Sequence, residues 1–152
     1  MSLRTCVVGI GQKFAGDDGV GLAVLDELER RPVPEGTRLV RLADPMDLVS
    51  LFGSEERVVL VDAVLASPAG VVVELSLGEL SRGAAHLASS HGLGAAQAIE
   101  LARSLSPKGA TPSIRVVAVT ITRPKHYRVG LSPELVAAVL EAADRVVELL
   151  GN

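Results

Sequence analysis

Residues 3–10 form a nearly continuous apolar, β-branched run that stops at Gly9-Ile10-Gly11. A run without polar alternation fits a strand covered on both faces, and a parallel strand of that kind requires a crossover helix. Residues 18–30 supply one: Val20, Val24, Leu25 and Leu28 recur at helical spacing, acids sit at the front, arginines at the rear, and Pro32 follows. A strand, a tight glycine turn and an amphipathic helix in that order define the opening unit of a layered α/β domain.

The rest of the chain repeats the theme. Residues 37–42 read as a second strand, 44–52 as a short helix opening on Asp-Pro, and 57–61 as a third, wholly apolar strand ended by Asp62. Residues 70–75 follow a Ser-Pro-Ala-Gly turn too closely for a helical crossover, so they are expected to form an antiparallel neighbour. Ser89-Ser90 can cap a helix over 92–104 with Leu93, Ala96, Ile99 and Ala102 on its buried side. Residues 114–121 make a further strand, and Ser132-Pro133-Glu134 opens a final amphipathic helix to Leu150. The expected fold is a three-layer α/β/α sandwich around a five-stranded, mostly parallel twisted sheet with one antiparallel strand. With 152 residues the chain accommodates one such domain, spanning 1–152. Two Phe, one Tyr and no Trp leave packing to aliphatic side chains.

Charge and cysteine usage narrow the function. The net charge of -3 comes from residues spread along the chain, without the basic stripe a nucleic-acid footprint needs. The single cysteine, Cys6, excludes an internal disulfide and a cysteine-built metal cluster, and fits a reducing cytosol. No apolar run is long enough to span a bilayer, and no signal-peptide order opens the chain, so a cytoplasmic location without membrane contact is expected.

In open α/β sheets, ligands gather beyond the carboxyl ends of the strands. Three stretches should meet there: residues 9–18, Asp62, and residues 89–94. Gly9-Ile10-Gly11 matches a phosphate-binding turn poorly, because the third glycine is missing and Asp17 and Asp18 would repel a pyrophosphate. Helix capping accounts for one of those acids, and Asp17 is assigned to it. Gly16, Gly19 and Gly21 open space around the pair, leaving Asp18 for a second role. Asp62 is either a turn-forming residue or a side chain delivered to the rim of the sheet; His91 is either a polar residue near a helix start or an imidazole ligand. His86 and His126 have weaker contexts. Two carboxylates and an imidazole suit a borderline divalent ion such as nickel or zinc with coordination positions left open. Nucleophilic hydrolase chemistry fits less well, since Cys6 is inside a strand and no Gly-x-Ser-x-Gly elbow occurs.

Gly9-x-Gly11 with Asp17-Asp18-Gly19-Val20-Gly21, the apolar strand ending in Asp62-Ala63, Ser90-His91-Gly92, and Gly130-Leu131-Ser132-Pro133-Glu134 together resemble the nickel-iron hydrogenase maturation protease family. The resemblance covers nearly the whole chain. It implies an endopeptidase that removes the C-terminal extension of a hydrogenase large-subunit precursor once nickel is in place. Asp18, Asp62 and His91 would then be both the catalytic set and the ligands of nickel carried by the substrate, with zinc or cadmium able to substitute in a crystal. The expected partner is that precursor, and the chain is expected to work as a monomer. Two positions depart from the family pattern: Gln12 stands where Asn is usual, and Ala43-Asp44-Pro45-Met46-Asp47 replaces a glycine-rich, threonine-containing loop. A noncatalytic module that binds a nickel-loaded partner, or a nucleotide or nucleoside enzyme of similar layering, are the alternatives.

Overall fold

The computed structural model describes residues 4–12, 16–51, 57–76, 79, 88–89, 95–105, 112–122 and 130–151. Its centre is a mixed sheet. Strand β1 (Thr5–Ile10) lies between β2 (Thr37–Leu42) and β3 (Arg57–Leu65) and is parallel to both. On the far side of β3 runs β6 (Ser113–Ile121), also parallel, and β4 (Val72–Ser76) closes the sheet antiparallel to β6. The main order is β2-β1-β3-β6-β4, and β5 (Ala88–Ser89) adds a short antiparallel pairing with Val64 and Leu65 of β3. The strand after 70 is antiparallel as the sequence implies, but its neighbour is β6 rather than β3. β6, a strand from much later in the chain, inserts between them, an arrangement that local spacing cannot reveal.

Alternation of side chains across the strands divides the core into two layers. Val7, Val59, Val61, Ala63, Val117 and Val119 face one way and pack against α1 (Val20–Leu28) and α3 (Pro133–Leu150). Cys6, Val8, Val58, Leu60, Val116 and Ala118 face the other way, toward α2 (Ala95–Leu105) and a 3₁₀ segment (Pro45–Leu51). Each helix carries a matching stripe. In α3 Leu135, Ala138, Val139, Ala142, Ala143, Val146 and Leu150 are buried, and in α2 Ala95, Ala98, Ile99 and Ala102 are. The helical signal after β2 resolves as 3₁₀ rather than α, and the N-terminal part of the helix expected from residue 92 lies outside the described residues.

β3 does not end at Asp62. It continues through Ala63, Val64 and Leu65 because β6 stays paired with it as far as Leu65 opposite Ile121, and β5 pairs with the same end. β1 stops earlier, with Gly9 opposite Val61 as its last pairing with β3. Asp62 is therefore mid-strand by residue number, yet it is the first β3 residue beyond the pairing with β1. The chain leaves β1 toward β2 on one side and returns to β3 on the other, so the order of the sheet reverses there.

Candidate metal-docking site at the β1–β3 divergence

The site begins with three glycines that let helix and sheet backbones touch. A Cβ on Gly21 would lie 2.5 Å from the Ile10 carbonyl oxygen and 2.8 Å from that of Val61. One on Gly9 would lie 2.6 Å from the Gly21 carbonyl oxygen, and one on Gly11 2.7 Å from that of Asp18. These neighbours are backbone atoms that cannot swing aside, so only glycine fits. The glycine-rich turn that resembles a phosphate loop is thus occupied by the chain's own helix. The close approach also brings the start of α1 onto β1 and β3 and carries the preceding acids to the point where those strands separate.

Those acids lie in a 3₁₀ turn (Gly16–Gly19) entered through Gly16 at φ +59°, a conformation that favours glycine. Asp17 and Asp18 take different roles within it. The Asp17 carboxylate accepts two hydrogen bonds from Ser132, one from the backbone N–H at 2.7 Å and one from the hydroxyl at 2.6 Å. Asp17 does not cap α1, whose N-cap is Gly19 and has no side-chain hydrogen bond. The assignment of Asp17 to that cap is corrected: its partner is the N-cap residue of α3, 115 positions away. Asp18 is partly exposed as a residue, yet its Oδ1 is shut off from solvent.

Asp62 is 3% exposed, and its Oδ1 accepts a hydrogen bond of 2.8 Å from the N–H of Ala63. Strand alternation directs it to the same face as Leu60 and Val64, the face that carries α2. An ionisable group at this depth in a parallel sheet adds nothing to packing, and burying it carries a desolvation cost. Asp18 precedes Gly21 on the turn and Asp62 directly follows Val61, the two backbones that the glycine contact joins, while the Asp62 side chain faces the α2 layer rather than α1. His91 and its neighbours Ser90 and Gly92, like His86 and His126, lie outside the described residues. Among the described residues no group of three or more His, Cys, Asp or Glu side chains is arranged to hold a metal ion.

A cleft of about 400 Å³ lies against the acidic turn, lined by Gly16, Gly19, Leu22, Ala23 and the Gly130-Leu131 segment, with Arg41 also in its lining. Arg41 donates to Asp26 and to Glu29, each at 2.7 Å, tying β2 to α1. Cys6 is fully buried within β1, away from any role as an accessible nucleophile. Sequence reasoning passed over Ser132 as a contributor here, because Ser-Pro-Glu is fully explained locally as a helix start.

The fold is shared along nearly its whole length with solved hydrogenase maturation endopeptidases. The hydrogenase maturating endopeptidase HybD from E. coli superposes with a TM-score of 0.80 at 23% identity, over 97% of this chain and 92% of that one. The hydrogenase 2 maturation peptidase of a Thaumarchaeota archaeon matches at 27% identity and a TM-score of 0.67, over 97% of this chain and 98% of its own. In sequence, Protein FrxA of Pyrococcus furiosus is 31% identical over 137 residues, 89% of this chain and 93% of that protein. No family model matches. At that identity and coverage the chain belongs to the same family as Protein FrxA, and it shares the fold of the solved hydrogenase maturation endopeptidases.

Proposed function

We propose that this protein is an endopeptidase that removes the C-terminal extension of a nickel-loaded hydrogenase large-subunit precursor. The observation that supports the reading is the fold shared along nearly the whole chain with solved hydrogenase maturation endopeptidases, together with an acidic turn packed by its backbone against Gly11 next to the β1–β3 divergence. Carboxylates in this position suit a borderline divalent cation presented by another protein. In this reading Asp18, Asp62 and His91 are the ligands through which the protein grips nickel already bound to its substrate, and the nickel is cargo rather than a resident cofactor. An incompletely filled ligand set fits that use, since the remaining positions belong to the precursor.

Docking of the substrate-held ion sets the scissile peptide against the acidic turn, and most of the rate enhancement is assigned to this positioning. The protein thereby cleaves only precursors that carry nickel. The nucleotide-enzyme alternative loses its main support, because the turn that would cradle a phosphate is filled by α1 and fronted by Asp17 and Asp18. The test is incubation with nickel-loaded and nickel-free precursor followed by mass spectrometry of the large subunit. Shortening of the loaded form alone supports the peptidase. Stable complex formation without shortening favours the noncatalytic module.

A further inference from the structure

The 3₁₀ turn that carries Asp18 is short, with Gly16 and Gly19 as its end residues, and the helix that follows has no side-chain cap. A four-residue turn of this kind has little means of fixing its own orientation. The turn backbone packs against Gly11 on one side, and a second anchor comes from the two hydrogen bonds that the Asp17 carboxylate accepts from Ser132. At 2.6 and 2.7 Å these are charge-assisted bonds in a part-buried setting. Ser132 in turn is rigidly placed: it precedes an 18-residue helix whose buried stripe runs to Leu150. Its hydroxyl makes no capping bond to its own helix and is given to Asp17 instead. The negative charge sits at the N-terminal end of α3, where the helix dipole favours it.

We infer that Asp17 and Ser132 form a clamp that positions the acidic turn, and hence Asp18, for its work on the substrate. Asp17 is a positioning residue rather than a catalytic one. The clamp also gives a physical reason for an Asp-Asp-Gly block and a distant Gly-Leu-Ser-Pro-Glu segment to occur in one chain: each supplies half of a hydrogen-bonded pair. The effect on turnover rests on the peptidase reading above, whereas the effect on the turn itself does not.

The test compares wild type with Ser132→Ala, Ser132→Thr and Asp17→Ala, reading amide hydrogen exchange over residues 16–19 and cleavage of nickel-loaded precursor. Ser132→Ala removes the hydroxyl bond alone and leaves α3 able to fold. Faster exchange in the turn is expected, with exchange in β3 unchanged. A fall in kcat of about tenfold, with KM within about twofold, is also expected, because loosened alignment acts on the reacting geometry. Ser132→Thr keeps both donors and should restore both readouts, and Asp17→Ala should show the larger defect. Unaltered exchange and kcat in Ser132→Ala and Asp17→Ala would overturn the clamp, as would a Thr variant no better than Ala. If wild type leaves the precursor intact, the peptidase reading fails, and exchange in the turn decides the clamp by itself.

Discussion

Gly21 shows how one residue carries the geometry of the site. In an exposed helix, replacing Gly by Ala adds about 1 kcal/mol of helix propensity. Here the added methyl would meet carbonyl oxygens of both β1 and β3 at under 3 Å, and two paired strands cannot both retreat. Overpacking of this kind costs about 1–3 kcal/mol and outweighs the propensity gain. Gly21→Ala should therefore lower the denaturant midpoint and shift the acidic turn, so that precursor processing falls more than stability alone explains. Asp18 and Asp62 make the opposite case. Their replacement by Ala should abolish processing while circular dichroism shows an intact fold, and the same is expected for His91→Ala. Full activity in all three variants would remove the proposed ligand set.

At the level of elements, α3 depends on its apolar stripe and, among the described residues, on the ion pair of Asp144 with Arg31 just past α1. Leu135 is completely buried and Val136 is 57% exposed, one residue apart on the same helix. Leu135→Ala should cost about 2–5 kcal/mol by opening a cavity, whereas Val136→Ala should stay within about 0.5 kcal/mol; chemical denaturation separates the two. The link between β2 and α1 is weaker. The Arg41 guanidinium is held above its ordinary value, first by its hydrogen bond to Asp26 and then, against some desolvation, by Glu29. A raised arginine pKa contributes stability that is complete below the ordinary arginine value and lost only when pH climbs through the folded one, so its contribution is flat across neutral pH. With the pair largely in solvent, Arg41→Ala should cost under about 1 kcal/mol, and added salt should shrink the difference.

Elements were also where the sequence spoke most clearly. β1, β2, β6 and helices α1, α2 and α3 follow from local periodicity, because each buries one stripe or two faces that its own residues define. The end of β3 and the partner of β4 could not be read that way, since both are set by β6, a strand near the other end of the chain. The same limit hid the Asp17–Ser132 pair: each member has a sufficient local explanation as a helix-start residue. The glycine-acid block stood out in the sequence, but the reason for its glycines did not. They serve contact between α1 and the two strands, a fact that belongs to the packed sheet rather than to the motif.

For the molecule as a whole, two layers of helices bury an aliphatic sheet and leave ionisable groups where the strand order reverses. Among the described residues no helix is long and apolar enough to cross a membrane. Under the proposed reading the acidic turn at that reversal meets a visiting protein, and specificity comes from what that visitor carries. The most direct measurement is the mass of a hydrogenase large-subunit precursor after incubation with the purified protein, with and without nickel in the precursor. Loss of the C-terminal extension from the nickel-loaded form only, and its persistence with Asp18→Ala or Asp62→Ala, is the predicted result. A loaded precursor that stays full length, or cleavage indifferent to nickel and to both aspartates, would contradict the account.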